Sequence, residues 1–266
     1  METQQRPIEA IKYAIKEAEN ANVAKTETEF EKHLQIIQKQ NDLLQDFLVN
    51  YYIHHNDLIV KHDDSNTFIV CFSLLSDSLK KQRIALELIK KGYYTDAGAL
   101  IRQMMENAYH IIYISKTKDS WKDWFAYQNY EEEKMVHPEK IERGEIKKPE
   151  TIFSSFQAIL DKLKKQEYYR TFRLACKWAH PSTEILKSNL QLTPEQKNYY
   201  HFAPRYLVQH ADYMINMLFG FINISFWDGF KEIFEVDIKK LPTVLQEYHN
   251  LQSEDTHKTF DKFYEV

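Results

Sequence analysis

Arg173 and His180 are the residues whose types and spacing point most directly to chemistry, with six residues between them. Seven helical steps return to nearly the same face roughly 10.5 Å further along the axis, so an extended Arg173 reaches toward an imidazole at the helix end. Pro181 biases His180 out of the helical region and so sets that end. A guanidinium and an imidazole so placed suit metal-independent RNA cleavage. The imidazole serves proton transfer at the 2′-hydroxyl or the leaving group, and the guanidinium meets charge developing on the phosphate. The structural alternative is an arginine on the helix surface and a histidine held by its neighbours at a helix stop.

A second set lies earlier, in GYYTDAGALIRQMMENAYHIIY from Gly92 to Tyr113. Gly92 reads as a stop, Thr95 as the N-cap of a new helix, and Asp96 as an acid in its first turn. Ala97, Leu100, Ile101, Met104, Met105, Ala108, Ile111 and Ile112 then cover so much of the circumference that this is a core helix. Arg102, Glu106 and His110 nevertheless fall at i, i+4 and i+8, one polar stripe of cation, carboxylate and imidazole. Desolvated charges need partners, so the stripe is either a closed structural network, with an Arg102–Glu106 pair fixing helix register, or the wall of a site.

The elements that must position these residues read as helices throughout. Pro7 opens a short leading helix with Ile8, Ile11, Ile15 and Ala18, ending in the polar run Glu19 to Asn22. Thr26-Glu27-Thr28-Glu29 has capping-box spacing and opens a long helix from Phe30 to about His62, with Asn41 as a polar, register-setting residue on its apolar seam. Asp63 to Asn66 cap a third helix that ends at Gly92. Ser120 caps an aromatic-rich helix through Trp121, Trp124 and Tyr130. Residues 136–150 hold prolines, a glycine and alternating charges, the best place for an exposed loop or a sub-boundary in one helical domain spanning 1–266. Thr151 caps the next helix, the Arg173 helix follows, and Thr193-Pro194-Glu195 starts another, which Pro204 divides from a strongly apolar helix through Met214, Leu218, Phe221 and Phe226. Pro242 opens a final amphipathic helix.

Composition agrees. A chain of 266 residues, 43% hydrophobic and with only five Gly and seven Pro, has core enough for a large domain and few breakers, so we read an all-α, multi-helix bundle with long antiparallel helices. The net charge of −4 makes no global case for nucleic acid, although such a sum hides any local basic patch. Cys71 and Cys176 sit in apolar helical contexts without paired spacing, as in a reduced, cytoplasmic protein. No window is apolar enough to span a membrane, and no basic head precedes an apolar run at the N-terminus. No Glu-x-x-His, HExxH, Gly-rich phosphate loop or Gly-x-Ser-x-Gly occurs, and His62-Asp63 falls at a break, so we expect no metal and no cofactor.

The interval between Arg173 and His180 resembles the HEPN ribonuclease motif, although Leu174 stands where that motif usually carries a polar residue. More broadly, Gly92-Tyr93 through Leu100-Ile101-Arg102 and Glu106, with the distant His180-Pro181-Ser182, looks like an uncharacterised family of bacterial all-helical proteins, over roughly residues 65–190. The resemblance implies an all-helical fold, a bacterial origin and proximity of Arg102, Glu106 and His180. The HEPN likeness implies an effector of a defence or toxin-like system that cleaves RNA or binds a nucleotide at Arg173 and His180. To these we add Arg102 and Glu106 as site residues, and the two-sided ends of the long second helix lead us to expect a homodimer. The competing class is a non-catalytic helical interaction module that binds a protein partner.

Overall fold

In the computed structural model, residues 5–53, 65–179, 190–192, 198–200, 204–233, 243–251 and 254–260 are described. The frame is a hairpin of two long helices, α3 (Ser65–Lys91) and α4 (Tyr94–Lys116). Gly92 turns between them with φ +89°. The N–H groups of Gly92 and Tyr93 donate to the carbonyls of Ile89 and Leu88, the paired bonds of a Schellman stop. A Cβ at position 92 would lie 2.7 Å from both the Arg205 carbonyl oxygen and the Asn22 amide nitrogen, so close approach as well as backbone conformation requires glycine. The turn is so short that α4 begins at Tyr94, with Tyr93 as its cap residue and no side-chain capping bond. Thr95 is therefore inside the first turn and not the N-cap, while Asp96 sits in that turn and meets the positive end of the helix.

Two further departures from the sequence reading lie at the N-terminus. The leading helix does not end at Glu19–Asn22: α1 runs Gln5–Glu29, and α2 (Glu31–Ile53) follows after a bend at Phe30. The polar run is tolerated because tertiary bonds use it. Asn22 Nδ2 donates to the Lys91 carbonyl at 2.9 Å and the Pro204 carbonyl at 3.2 Å, and the Tyr93 hydroxyl donates to Glu19 at 2.7 Å. Thr26, expected to cap α2, is buried inside α1 with its hydroxyl 3.5 Å from the Lys90 carbonyl.

Helix α9 (Val208–Asn223) lies against α3 and α4 and continues into a π-helical turn, Ile224–Gly229, and a 3-10 turn, Phe230–Ile233. Met104, Met105, Ile111, Leu218, Phe221, Phe226 and Phe230 are buried together. α10 (Thr243–Leu251) covers α2, and α11 (Glu254–Thr259) brings Phe260 to stack on Phe219 at 4.0 Å. Inside this half runs a chain of buried amides. Gln40 Nε2 donates to Asn223 Oδ1 at 2.8 Å, Gln82 Nε2 to Gln40 Oε1 at 2.8 Å, and Asn41 Nδ2 to Gln82 Oε1 at 2.8 Å, with the Tyr248 hydroxyl closing on Asn223. Asn41 is thus the buried seam residue its spacing suggested, and it ties α2 to α3 through side chain and backbone.

α5 (Ser120–Val136) crosses the α3–α4 hairpin after a left-handed Asp119, which takes the cap position expected of Ser120. A five-residue α6 (Pro138–Glu142) follows. Thr151 caps only the turn Ile152–Ser154, and Ser155 caps α7 (Phe156–Leu163) by accepting from Ala158 N–H at 3.3 Å. α8 (Tyr169–Ala179) lies on α4. The helix expected from Thr193 onward is replaced at Asn198–Tyr200 by a strand that pairs antiparallel with Leu190–Leu192. The Asn-Tyr-Tyr sequence suits a strand better than a helix interior. The fold is an all-α multi-helix bundle, and no helix among the described residues is long and apolar enough to cross a membrane.

Candidate functional site

Helix α8 has two unlike faces. Thr171 and Ala175 are buried toward the core, whereas Arg170, Arg173 and Lys177 are exposed. It runs antiparallel to α4: Tyr168, just before it, meets the Tyr109 ring at 5.7 Å, and Phe172, one turn later, lies 5.5 Å beneath the guanidinium of Arg102, nearer the start of α4. Phe172 in turn packs at a tilt against Phe156 of α7, ring centroids 4.2 Å apart, which holds the ring in place. Desolvated on one side by that aromatic face, the guanidinium gains cation–π attraction of about 1 kcal/mol.

On α4 itself Arg102 donates through Nε at 3.3 Å and NH2 at 3.1 Å, and both bonds reach the same oxygen, Glu106 Oε1. Each side chain retains 28% of its exposure, so the pair is neither the sealed core pair nor the surface pair that the spacing alone left open. Glu106 Oε2 receives no hydrogen bond from the described residues. Burial raises the pKa of the Cys176 thiol, and the charges of Arg102, Glu106 and Arg173 all reach it. Arg102 and Glu106 on α4, with Phe172 beneath the guanidinium and Arg173 next to it on α8, border one half-exposed patch. Burial and then Glu131 raise the pKa of the Tyr127 hydroxyl of α5, with a smaller contribution from Glu106.

His110 leaves this group. Each step of four residues advances about 40° around a helix, so the stripe turns away from Arg102 by about 80° at His110. Its ring packs edge-on against Phe153 at 5.2 Å, and burial lowers its pKa to about 4. On the other flank of α4, Asn107 Nδ2 donates to Asp77 at 2.9 Å and Ser78 at 3.1 Å, tying α4 to α3. His180 lies outside the described residues, as do His62-Asp63, Ser182 and Thr193-Pro194-Glu195. Phe172, Cys176 and Tyr127 were not singled out from sequence as site neighbours. The adjacency of Phe172 to Arg173 was a usable signal for the first, whereas the α5 crossing leaves no local trace.

Among the described residues no three His, Cys, Asp or Glu side chains gather as metal ligands. The patch offers cations, one carboxylate with an open oxygen, and aromatic rings, a set suited to holding a phosphate ester rather than a metal ion.

These features define an all-helical protein with a charged, half-open face where α8 crosses α4. Residues 68–206, more than half the chain and including every element of that face, match the model of a family of unknown function (DUF5677), and the chain belongs to that family. Neither the curated proteins nor the solved structures give a significant match.

Proposed function

We propose that this protein is a HEPN-like helical effector that handles RNA at the α4–α8 face and cleaves it without a metal, in a bacterial defence or toxin-like setting and as a homodimer. What supports the reading is one observation: the Arg102–Glu106 pair of α4 lies over Phe172 of α8, beside the exposed Arg173, on the helix whose sequence runs on to His180. In this reading Arg173 and Arg102 stabilise charge on the phosphate, His180 exchanges the proton of the attacking 2′-hydroxyl or of the leaving oxygen, and Glu106 orients Arg102. The same groups would bind a nucleotide without cleaving it. The test is purified protein on single-stranded and structured RNA in excess EDTA, with His180→Ala in parallel. Cleavage by the wild type and none by the folded variant is expected, and retained cleavage by His180→Ala removes that residue from the role.

A second reading, a non-catalytic interaction module, draws on the end of α5, where Met135 keeps 78% and Val136 61% of its exposure. An absence of cleavage by the wild type, with and without a protein partner, favours it.

A further inference from the structure

The charge of this chain is unevenly placed. From Lys147 to Lys177 there are eight cations and three acids, in a chain whose net charge is −4. Lys162 and Lys164, at the end of α7, and Arg170, Arg173 and Lys177 on α8 are all exposed. Arg170, Arg173 and Lys177 fall at i, i+3 and i+7, a single stripe about 10.5 Å long on the face of α8 turned away from Thr171 and Ala175. None of these five cations makes an ion pair among the described residues.

The start of the stripe works against the helix that carries it. The first turn of α8 contains no acid and does contain Arg170, so a cation stands at the positive end of the macrodipole. Lys162 in the last turn of α7 and Lys177 in the last turn of α8 favour their helices, whereas Arg170 does not, and it makes no ion pair among the described residues. An exposed cation at a helix start, in line with further exposed cations, gains from an external anion.

We propose that the α7–α8 face is a track for the phosphate backbone of single-stranded RNA, leading it to the Arg102–Glu106 patch. This rests on the RNA reading given above and adds where the strand lies. Tyr169, half-exposed and stacked on Phe172 at 6.3 Å, supplies a ring against which a base can stack beside the cations. An anionic membrane is the less fitting polyanion. Adsorption to lipid needs exposed apolar anchors among the cations, and none of the exposed large hydrophobic side chains lies between residues 147 and 177.

The experiment measures binding of a labelled oligouridylate to the full chain by fluorescence anisotropy over a range of salt concentrations. Wild type is compared with Arg170→Glu/Lys177→Glu, with Lys162→Glu/Lys164→Glu, and with Lys16→Glu/Lys32→Glu, which changes the net charge equally at a distance. Arg102, Glu106, Arg173 and His180 stay intact, and circular dichroism checks that each variant is folded. Affinity should fall about tenfold or more at low salt for the first two variants, and the slope of log K against log salt should shrink by roughly 0.7 for each phosphate that is no longer neutralised. The distant pair should bind like wild type. Equal losses in all three variants, no loss in any, no binding by the wild type, or binding to phosphatidylserine vesicles in preference to RNA overturns the proposal. Failure of the cleavage reading looks different: strip-dependent binding with the oligonucleotide left intact keeps the track and removes the cleavage, whereas cleavage indifferent to the strip charges does the reverse.

Discussion

The amide chain beneath α2 and the charged patch where α8 crosses α4 treat polar groups in opposite ways. In the first, Gln40, Gln82 and Asn41 are buried and every amide donor has a partner, with Asn41 Oδ1 left over. In the second, Arg102 and Glu106 keep over a quarter of their exposure, and two bonds from Arg102 meet on one carboxylate oxygen. A closed network specifies the core, since each group would be costly without its partner. An open pair contributes less to stability and keeps its charges within reach of a ligand. We read the first region as architecture and the second as function for that reason.

The largest effect should come from breaking the closed region. Gln40→Ala removes a side chain that bonds Asn223 and Gln82, leaves both amides short of a partner and opens a cavity, so it should cost about 3–5 kcal/mol in the denaturant midpoint. A cost below about 1 kcal/mol would mean that water replaces the glutamine and the network is not closed.

Next in size is His110, half-buried on α4 with its ring against Phe153. Burial disfavours its imidazolium in the folded protein, holding the pKa near about 4, so the unfolded chain takes up the proton first as pH falls. Its contribution is complete above pH ~6.5 and is lost between there and about pH 4, by up to about 3 kcal/mol and less to the extent that the ring meets water. Stability measured at pH 7.5 and 4.5 should show a smaller acid loss in His110→Phe than in wild type. Equal losses would place the histidine in contact with solvent.

Smallest should be Glu106→Ala. A sealed pair would cost about 3–5 kcal/mol and a surface pair under about 1, and the half-open geometry predicts about 1–2. A value above 3 would move this pair into the same class as the amide chain and erase the contrast.

Much of the architecture was legible from local pattern. Gly92 as a stop, the core face of α4, Asn41 on an apolar seam and the buried run through Phe226 each depend on spacing within one element. What escaped depends on distant chain. The run Glu19–Asn22 looks like a helix end until the carbonyls of Lys91 and Pro204 arrive to use the Asn22 amide, and Thr26 looks like a cap until Lys90 packs on it. At the site, Arg102 and Glu106 could be paired from their i, i+4 spacing. The rotation of His110 out of the stripe and the arrival of Phe172, Cys176 and Tyr127 could not, because α8 and α5 reach α4 only through the tertiary fold.

The central claim, that the two regions divide stability from function, is tested most directly by one paired measurement: RNA cleavage per mole of folded protein set against the denaturant midpoint, for Arg173→Ala and Gln40→Ala. Arg173 is exposed and makes no ion pair among the described residues, so its removal should leave the midpoint within about 0.5 kcal/mol while cleavage is lost. Gln40→Ala should lower the midpoint while its folded fraction cleaves at the wild-type rate. Cleavage that survives in Arg173→Ala, or that falls with stability in both variants alike, would contradict the account.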